Sequence, residues 1–147
     1  MSRRQARELA LQALFQLDFN SDAETIASRE AQEKAIEAAV AELENGNITA
    51  RDRGFIEKLV FGTMTFREDI DAMINGAAKD WKVSRMAGVD RNIARMAVYE
   101  LKFDEEKTDV GVVVNEAIEL AKKYGTDDSS RFINGVLAGV NRKKKKN

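Results

Sequence analysis

The chain has 147 residues, of which 24 are basic and 25 acidic, and it contains no cysteine, histidine or proline. A chain of this length can bury about two-thirds of its unfolded surface in one core. The lack of proline and the abundance of Ala, Glu, Lys and Leu therefore favour a single all-α domain. The missing cysteine and histidine exclude disulfides, zinc-finger ligation and catalysis by a thiol or an imidazole.

Basic charge is concentrated at the two ends of the chain. The first seven residues contain Arg3, Arg4 and Arg7 and no acid, and the segment 122–147 has 8 basic and 2 acidic residues. The segment between these ends is acidic. This pattern is compatible with a local nucleic-acid surface on a slightly acidic protein.

The first helix is predicted to begin almost at the first residue, because Ser2 and Gln5 fit a capping box. Its three arginines lie near the positive end of the helix dipole, where each cation is disfavoured by about 0.3 to 1 kcal/mol. The arginines therefore serve a binding function, or they form a solvated face that happens to be basic. The buried stripe is predicted to be Ala6, Leu9, Ala10, Ala13 and Leu17.

Four further helices are predicted before residue 104. The first is long and acidic, runs from about residue 23 to 43 and ends at Asn45 and Gly46. The second follows a cap of Thr49 and Asp52, the third follows a capping box of Thr65 and Glu68, and the fourth runs from about residue 89 or 90 to 103. Their predicted buried residues are Ile36, Val40 and Leu43; Phe55, Ile56, Leu59 and Val60; Ile70, Met73, Ile74, Ala77 and Trp81; and Ile93, Met96, Ala97 and Leu101.

Two helices meet at residues 122–132, a segment called here the elbow. The helix from residue 110 to 124 is predicted to end at Gly125 in a left-handed conformation, and Thr126 and Asp127 are predicted to cap the last helix. The β-branched run 112–114 is predicted to be helical, because no second strand is available to pair with it. In the last helix we expect a buried stripe of Ile133, Val136, Leu137 and Val140, with Gly135 and Gly139 allowing close approach to a neighbour.

Binding chemistry is better represented than catalytic chemistry. The nucleotide-binding, zinc-protease and serine-hydrolase motifs are absent, and the acidic pairs in turns are typical helix caps. Single-stranded RNA is bound by cations and by rings that stack on bases. Arg3, Arg4, Arg7, Lys122, Lys123 and Arg131 supply the cations, and Phe132 supplies a ring that is either exposed or at the rim of the core. The residues alone therefore indicate a helical RNA-binding or protein-binding module.

The sequence also indicates where the chain acts. The N-terminus has no apolar signal-peptide segment, and no apolar run approaches the roughly 18 residues of a membrane span. We therefore expect a cytoplasmic chain.

Three motifs make the chain resemble the NusB family of bacterial transcription antitermination factors. They are R-R-x-A-R-E-L-A-L-Q-A-L-F-Q at 3–16, D-R-N-I-A-R-M-A-V-Y-E-L at 90–101, and N-E-A-I-E-L-A-K-K-Y-G-x-x-D-S-x-R-F-I-N-G-V-L at 115–137. The resemblance implies about seven helices in two packed sub-bundles, at about residues 1–82 and 84–141, with a basic tail at 142–147. The chain departs from the family pattern at residues 109–112, where members of the family usually have a proline.

What the resemblance implies for function is a non-enzymatic role, without a cofactor, in antitermination on rRNA operons. The expected partners are the NusE ribosomal protein, boxA RNA and an elongation complex with other Nus factors, and a homodimer is also possible. The resemblance places Asp90 on the NusE side. On the RNA side it places Arg3, Arg4, Arg7, Asp128, Ser129, Arg131 and Phe132, and Lys122 is predicted on the same side from its charge. Two alternatives are the similar domain of an rRNA cytosine methyltransferase and a scaffold without RNA binding.

Overall fold

The computed structural model describes residues 1–19, 22–78 and 82–143. Within these ranges the chain is helical and has no strand, which confirms the all-α prediction. Trp81 and the tail residues 144–147 lie outside the described residues. The α-helices are α1 Arg3–Phe19, α2 Ala23–Ala27, α3 Arg29–Ala41, α4 Ala50–Thr65, α5 Arg67–Ala77, α6 Gly88–Val98, α7 Val110–Tyr124 and α8 Ser129–Lys143, with a 3₁₀ turn at Val83–Arg85 and a π-helical turn at Tyr99–Phe103.

The chain divides into two compact units, Met1–Thr65 and Phe66–Asn147. The sequence places a boundary at about residues 82–84, whereas the structure divides after Thr65. The reason is that α5 packs against α6 and α8 and so belongs to the second unit.

In the first unit, α1 packs against α3 and α4. The predicted capping box is confirmed, since Gln5 N donates to Ser2 Oγ at 3.0 Å and Ser2 N donates to Gln5 Oε1 at 3.1 Å. The cap at Thr49 is also confirmed, because Asp52 N donates to Thr49 Oγ1 at 3.1 Å. All five residues of the predicted α1 stripe are buried, as are Ile56, Leu59 and Val60 of α4, while Phe55 is half-buried.

The prediction of one long helix from residue 23 to 43 is wrong, because Ser28 divides that segment into α2 and α3. Ser28 has an extended ψ of 131°, and its Oγ accepts a hydrogen bond from Ala31 N at 3.0 Å. Its own N–H donates to Thr25 O at 3.1 Å, so one residue ends α2 and begins α3. α3 then ends at Ala41, which leaves Leu43 outside it and only half-buried.

In the second unit, α6 packs against α5, α7 and α8. The buried Arg95 of α6 forms a two-pronged ion pair with Asp71 of α5, with Nε to Oδ1 at 2.8 Å and Nη2 to Oδ2 at 2.9 Å. This planar pairing fixes the position of α5 on α6, because both hydrogen bonds need the same mutual orientation of the two side chains.

The predicted capping box at Thr65 is wrong, because α4 continues through Thr65 and Phe66 occupies the cap position of α5. Phe66 makes no side-chain cap bond, and its ring stacks on Phe103 with 4.8 Å between centroids. The predicted buried stripe of α5 is correct at Ile70 and Ile74 and wrong at Met73, which is 37% exposed. A contact between two half-buried rings therefore takes the place of the expected hydroxyl cap.

The predicted continuous helix to residue 103 is wrong in its last turn. α6 ends at Val98, and the segment Tyr99–Phe103 is π-helical. The bond from Asp104 N to Tyr99 O, 3.0 Å long, spans five residues. This wider turn buries the three consecutive residues Tyr99, Glu100 and Leu101.

The two glycines of α8 differ in their surroundings. A Cβ at Gly139 would lie 3.0 Å from Ala77 Cβ and 3.2 Å from Ala77 O, whereas a Cβ at Gly135 would meet nothing within 4 Å. The expected close approach is therefore correct for Gly139 and wrong for Gly135. The predicted stripe of Ile133, Val136, Leu137 and Val140 is buried throughout.

We expect Gly135→Ala to raise the free energy of unfolding by about 0.5 to 1 kcal/mol, because alanine is the better helix former and the site is open. Gly139→Ala should lower it below that of the unmodified chain, because the added methyl presses on the backbone of Ala77. Urea unfolding of both variants provides the measurement. Equal gains in stability would show that α5 and α8 can move apart at no cost.

Candidate nucleic-acid interface

The elbow is held closed by the close approach of Gly125 to Ser129. Gly125 ends α7 with φ of −94° and ψ of −165°, so the prediction of a left-handed residue is wrong. Glycine is required for space instead. A Cβ at this position would overlap the Oγ of Ser129 and would lie 2.8 Å from Ala121 O.

Ser129 provides the side-chain oxygen that closes the elbow. Its side chain is buried, and its Oγ accepts a hydrogen bond from Thr126 N at 2.9 Å and lies 3.3 Å from Thr126 Oγ1. The predicted cap by the Thr126 side-chain oxygen is therefore wrong, because the backbone N–H of Thr126 is the donor in this contact and Ser129 supplies the accepting oxygen. Asp127 is exposed, and the capping oxygen is that of Ser129 rather than that of Asp127.

A cavity of about 380 Å³, called here the elbow cavity, opens beside this turn. It brings Asp128, Ser129 and Phe132, which the sequence places on the RNA side, together with Asp90, which it places on the partner side. Asp90 Oδ1 is buried and has no hydrogen-bond partner among the described residues. The complete lining is Arg85, Met86, Ala87, Asp90, Thr126, Asp128, Ser129 and Phe132.

Sequence reasoning missed Arg85, Met86 and Ala87 as part of this site. Their only signal is the interruption of helical periodicity at residues 84–88, which predicts a connection and says nothing about a cavity. The 3₁₀ turn positions them, since Val83 N donates to Asn75 Oδ1 at 2.8 Å. Arg91 Nη1 also donates to Met86 O at 2.9 Å, which ties the connection to α6.

The predicted cations of the elbow are on its surface. Lys122 is exposed in the last turn of α7, where the helix dipole favours a cation, and its Nζ lies 3.5 Å from Glu119 Oε2. Arg131 is exposed on α8. Neither of the two is among the residues that line the elbow cavity. Their predicted contact with RNA stays a prediction.

The predicted arginines of α1 belong to the first unit and differ in exposure. Arg3 and Arg4 are exposed, while Arg7 is only 5% exposed. The guanidinium of Arg3 lies 4.1 Å from the centroid of the Phe55 ring, and that of Arg7 lies 5.4 Å from it. Arg7 thus has a packing role, and its predicted contact with RNA stays a prediction.

An exposed aromatic pair on α1 was not predicted. Phe15 is 40% and Phe19 81% exposed, and their rings stack with 6.4 Å between centroids. The signal in the sequence is two phenylalanines four residues apart that both lie off the buried stripe. Apolar surface of this kind is typical of a contact with another macromolecule.

Comparison with known proteins gives these surfaces a context. The model of the NusB family matches residues 4–142. The chain belongs to the NusB family. It is 45% identical over 139 residues to the transcription antitermination protein NusB of Desulforamulus reducens, covering 93% of this chain and 87% of that protein. It is 47% identical over 142 residues to NusB of Symbiobacterium thermophilum, covering 95% and 89% of the two chains.

Solved NusB structures share the fold. T. maritima NusB matches with a TM-score of 0.80 and 30% identity, covering 97% of this chain and 92% of that one. A crystal structure of the antitermination factors NusB and NusE in complex with double-stranded RNA matches with a TM-score of 0.76 and 26% identity, covering 96% of each chain. The resemblance is thus confirmed, and this NusB-family chain is a non-enzymatic antitermination factor.

Two further findings concern the described residues alone. None of their helices is long and apolar enough to cross a membrane. Over the same residues, no group of three or more acidic side chains is arranged to hold a metal ion.

We expect Ser129→Ala to lower the free energy of unfolding by about 1 to 2 kcal/mol, because it leaves Thr126 N without its acceptor in a partly buried turn. Ser130→Ala is the matched control, since Ser130 is the adjacent, half-buried serine of α8. Urea unfolding measures both. A control variant as unstable as Ser129→Ala would contradict the assigned role of Ser129.

Proposed function

We propose that this chain binds boxA-type single-stranded RNA together with the NusE ribosomal protein. In this proposal it acts in the cytoplasm within an elongation complex that contains other Nus factors, and it promotes transcription of rRNA operons. The observation that carries the proposal is the elbow, where the ring of Phe132 lines a cavity and Lys122 and Arg131 are exposed on the same short segment. Stacking rings and nearby cations are the two requirements for binding a single strand.

Arg3 and Arg4 add a second basic surface on the first unit, and both are exposed. Phosphate contacts of this kind give affinity that is independent of base sequence, whereas contacts with the bases themselves carry the sequence preference. We therefore assign affinity mainly to the exposed cations and base preference mainly to the elbow cavity.

The partner is supported by the related structure in which NusB is in complex with NusE and double-stranded RNA. That RNA is a duplex, while the ring and the cavity of the elbow favour unstacked bases. Comparing a boxA-type strand with its duplex therefore tests the proposal directly. The possible homodimer stays a prediction.

The test is a titration of fluorescein-labelled boxA-type RNA with this chain, in the presence and absence of NusE, over a series of salt concentrations. We expect NusE to strengthen binding, the single strand to bind more tightly than the duplex, and affinity to fall with salt. Each phosphate contact contributes about 0.7 to the slope of log affinity against log salt. A scrambled strand that bound equally well with NusE present would contradict the boxA assignment.

Phe132→Ala should weaken binding of the boxA-type strand by about 1 to 3 kcal/mol if the ring stacks on a base. Phe132→Tyr is the control, because it keeps the stacking surface. Anisotropy titration gives the affinity and thermal unfolding gives the stability. An alanine variant that unfolds earlier but binds RNA normally would show that the ring belongs to the rim of the core.

We assign the exposed Phe15 and Phe19 pair to the surface that contacts NusE, because a stacked, exposed aromatic pair is apolar surface suited to a protein partner. Phe19→Ser should then weaken NusE binding about tenfold or more. It should leave thermal stability unchanged, because the ring is 81% exposed on α1. Met73→Ser is the control, since Met73 is an exposed apolar side chain of the second unit. Isothermal titration with NusE provides the measurement. Equal affinities for the two variants would remove the Phe15 and Phe19 pair from the partner surface.

Asp90→Asn belongs in the same titration, because Asp90 is predicted to contact NusE and yet lines the elbow cavity. Loss of NusE affinity alone supports the predicted role. Loss of RNA affinity without NusE would assign Asp90 to the RNA side.

A further inference from the structure

Three cations from two helices of the first unit lie around a single aromatic ring, that of Phe55 on α4. The guanidinium of Arg3 is 4.1 Å and that of Arg7 is 5.4 Å from the ring centroid. The ammonium of Lys58, one turn further along α4, is 5.2 Å from it. Arg3, Arg7, Lys58 and Phe55 are called here the Phe55 cluster.

The arrangement needs a physical cause, because like charges repel one another. The π face of an aromatic ring carries negative charge density and attracts a cation within about 6 Å of its centroid by roughly 0.5 to 1 kcal/mol at an exposed site. All three cations of the cluster lie within that range of one ring. Phe55 thus offsets part of the repulsion and keeps the cations closer together than their charges alone favour.

The start of α1 is held against α4 by a further contact. The amino terminus of Met1 lies 3.7 Å from Asp52 Oδ2, one turn before Phe55 on α4. The capping box of Ser2 and Gln5 fixes the same turn of α1. Arg3 therefore belongs to an ordered first turn of α1.

We propose that Phe55 is a positioning residue that holds Arg3 and Lys58 as one binding cluster for the phosphates of RNA, that the buried Arg7 adds its charge to the cluster without contacting RNA, and that Lys58 itself contacts a phosphate. This inference rests on the proposed function and extends it to α4. Phe55 was predicted only as a core residue, and Lys58 had no predicted role.

A phosphodiester is the ligand that suits this cluster. Its charged oxygens accept hydrogen bonds from the planar guanidinium of Arg3 in two-pronged geometry, while Lys58 acts as a compact point charge. A bound phosphate also neutralises the repulsion among the cations. Because phosphates carry no base identity, the cluster should raise affinity equally for all single strands.

The test uses the full chain and a labelled boxA-type single strand over a series of salt concentrations. Lys58→Gln should weaken binding about threefold to tenfold and should lower the salt slope by about 0.7, as loss of one phosphate contact requires. Lys34→Gln is the matched control, because Lys34 is an exposed lysine of the same unit and pairs with Glu30 on α3 at 3.5 Å. It should leave the slope unchanged.

Phe55→Leu keeps an apolar side chain on α4 but removes the π face, and it should weaken RNA binding about threefold to tenfold. Phe55→Tyr restores the face and should bind within about twofold of the unmodified chain. NMR of the Arg3 side-chain protons tests the contact between Arg3 and the ring at position 55 in the absence of RNA. Their ring-current shift should be lost in the leucine variant and kept in the tyrosine variant.

The outcomes separate this inference from the proposed function. An unmodified chain that binds no RNA contradicts both. Normal RNA binding and an unchanged salt slope in Lys58→Gln and Phe55→Leu contradict only the Phe55 cluster. Weak binding by Phe55→Leu that Phe55→Tyr does not rescue would mean that Phe55 acts through packing alone, which also overturns the inference.

Discussion

The candidate RNA surface of the second unit depends on one contact, the approach of Ser129 to a residue that has no side chain. Because Gly125 leaves that space open, the Ser129 hydroxyl reaches back to Thr126 N and closes the turn between α7 and α8. Phe132 follows Ser129 by three residues and therefore lies on the same face of α8, about one turn further on. The packing at Gly125 thus decides where the ring of the elbow cavity stands.

Helical periodicity predicted the larger part of the fold. The stripes of α1 and α8 were correct at every predicted position, because these helices bury one continuous face. The predicted helix boundaries were wrong where the same local sequence is compatible with two structures. Ser28 can cap a helix, but it lies in a segment whose pattern also predicts one continuous helix. Thr65 fits a capping box, but α4 continues through it and the box does not form. The π-helical turn at Tyr99 has no local signal in the sequence.

Residue chemistry indicated the type of the site but not its arrangement. Cations and a ring at the elbow were recognised from the sequence, and Phe132 does line a cavity there. Sequence spacing does not reveal that Asp90, which is distant along the chain, lines the same cavity. It also does not show that Arg7 is buried against Phe55, because both facts arise from contacts between helices.

The ion pair of Arg95 and Asp71 restricts how relatives of this chain can diverge. Loss of one partner breaks both hydrogen bonds between a buried arginine and a half-buried aspartate and is therefore destabilising, while replacement of both by apolar residues is often nearly neutral. The two positions are therefore expected to show strong epistasis. Relatives should carry either the whole pair or neither member, so the identity of one residue predicts the identity of the other.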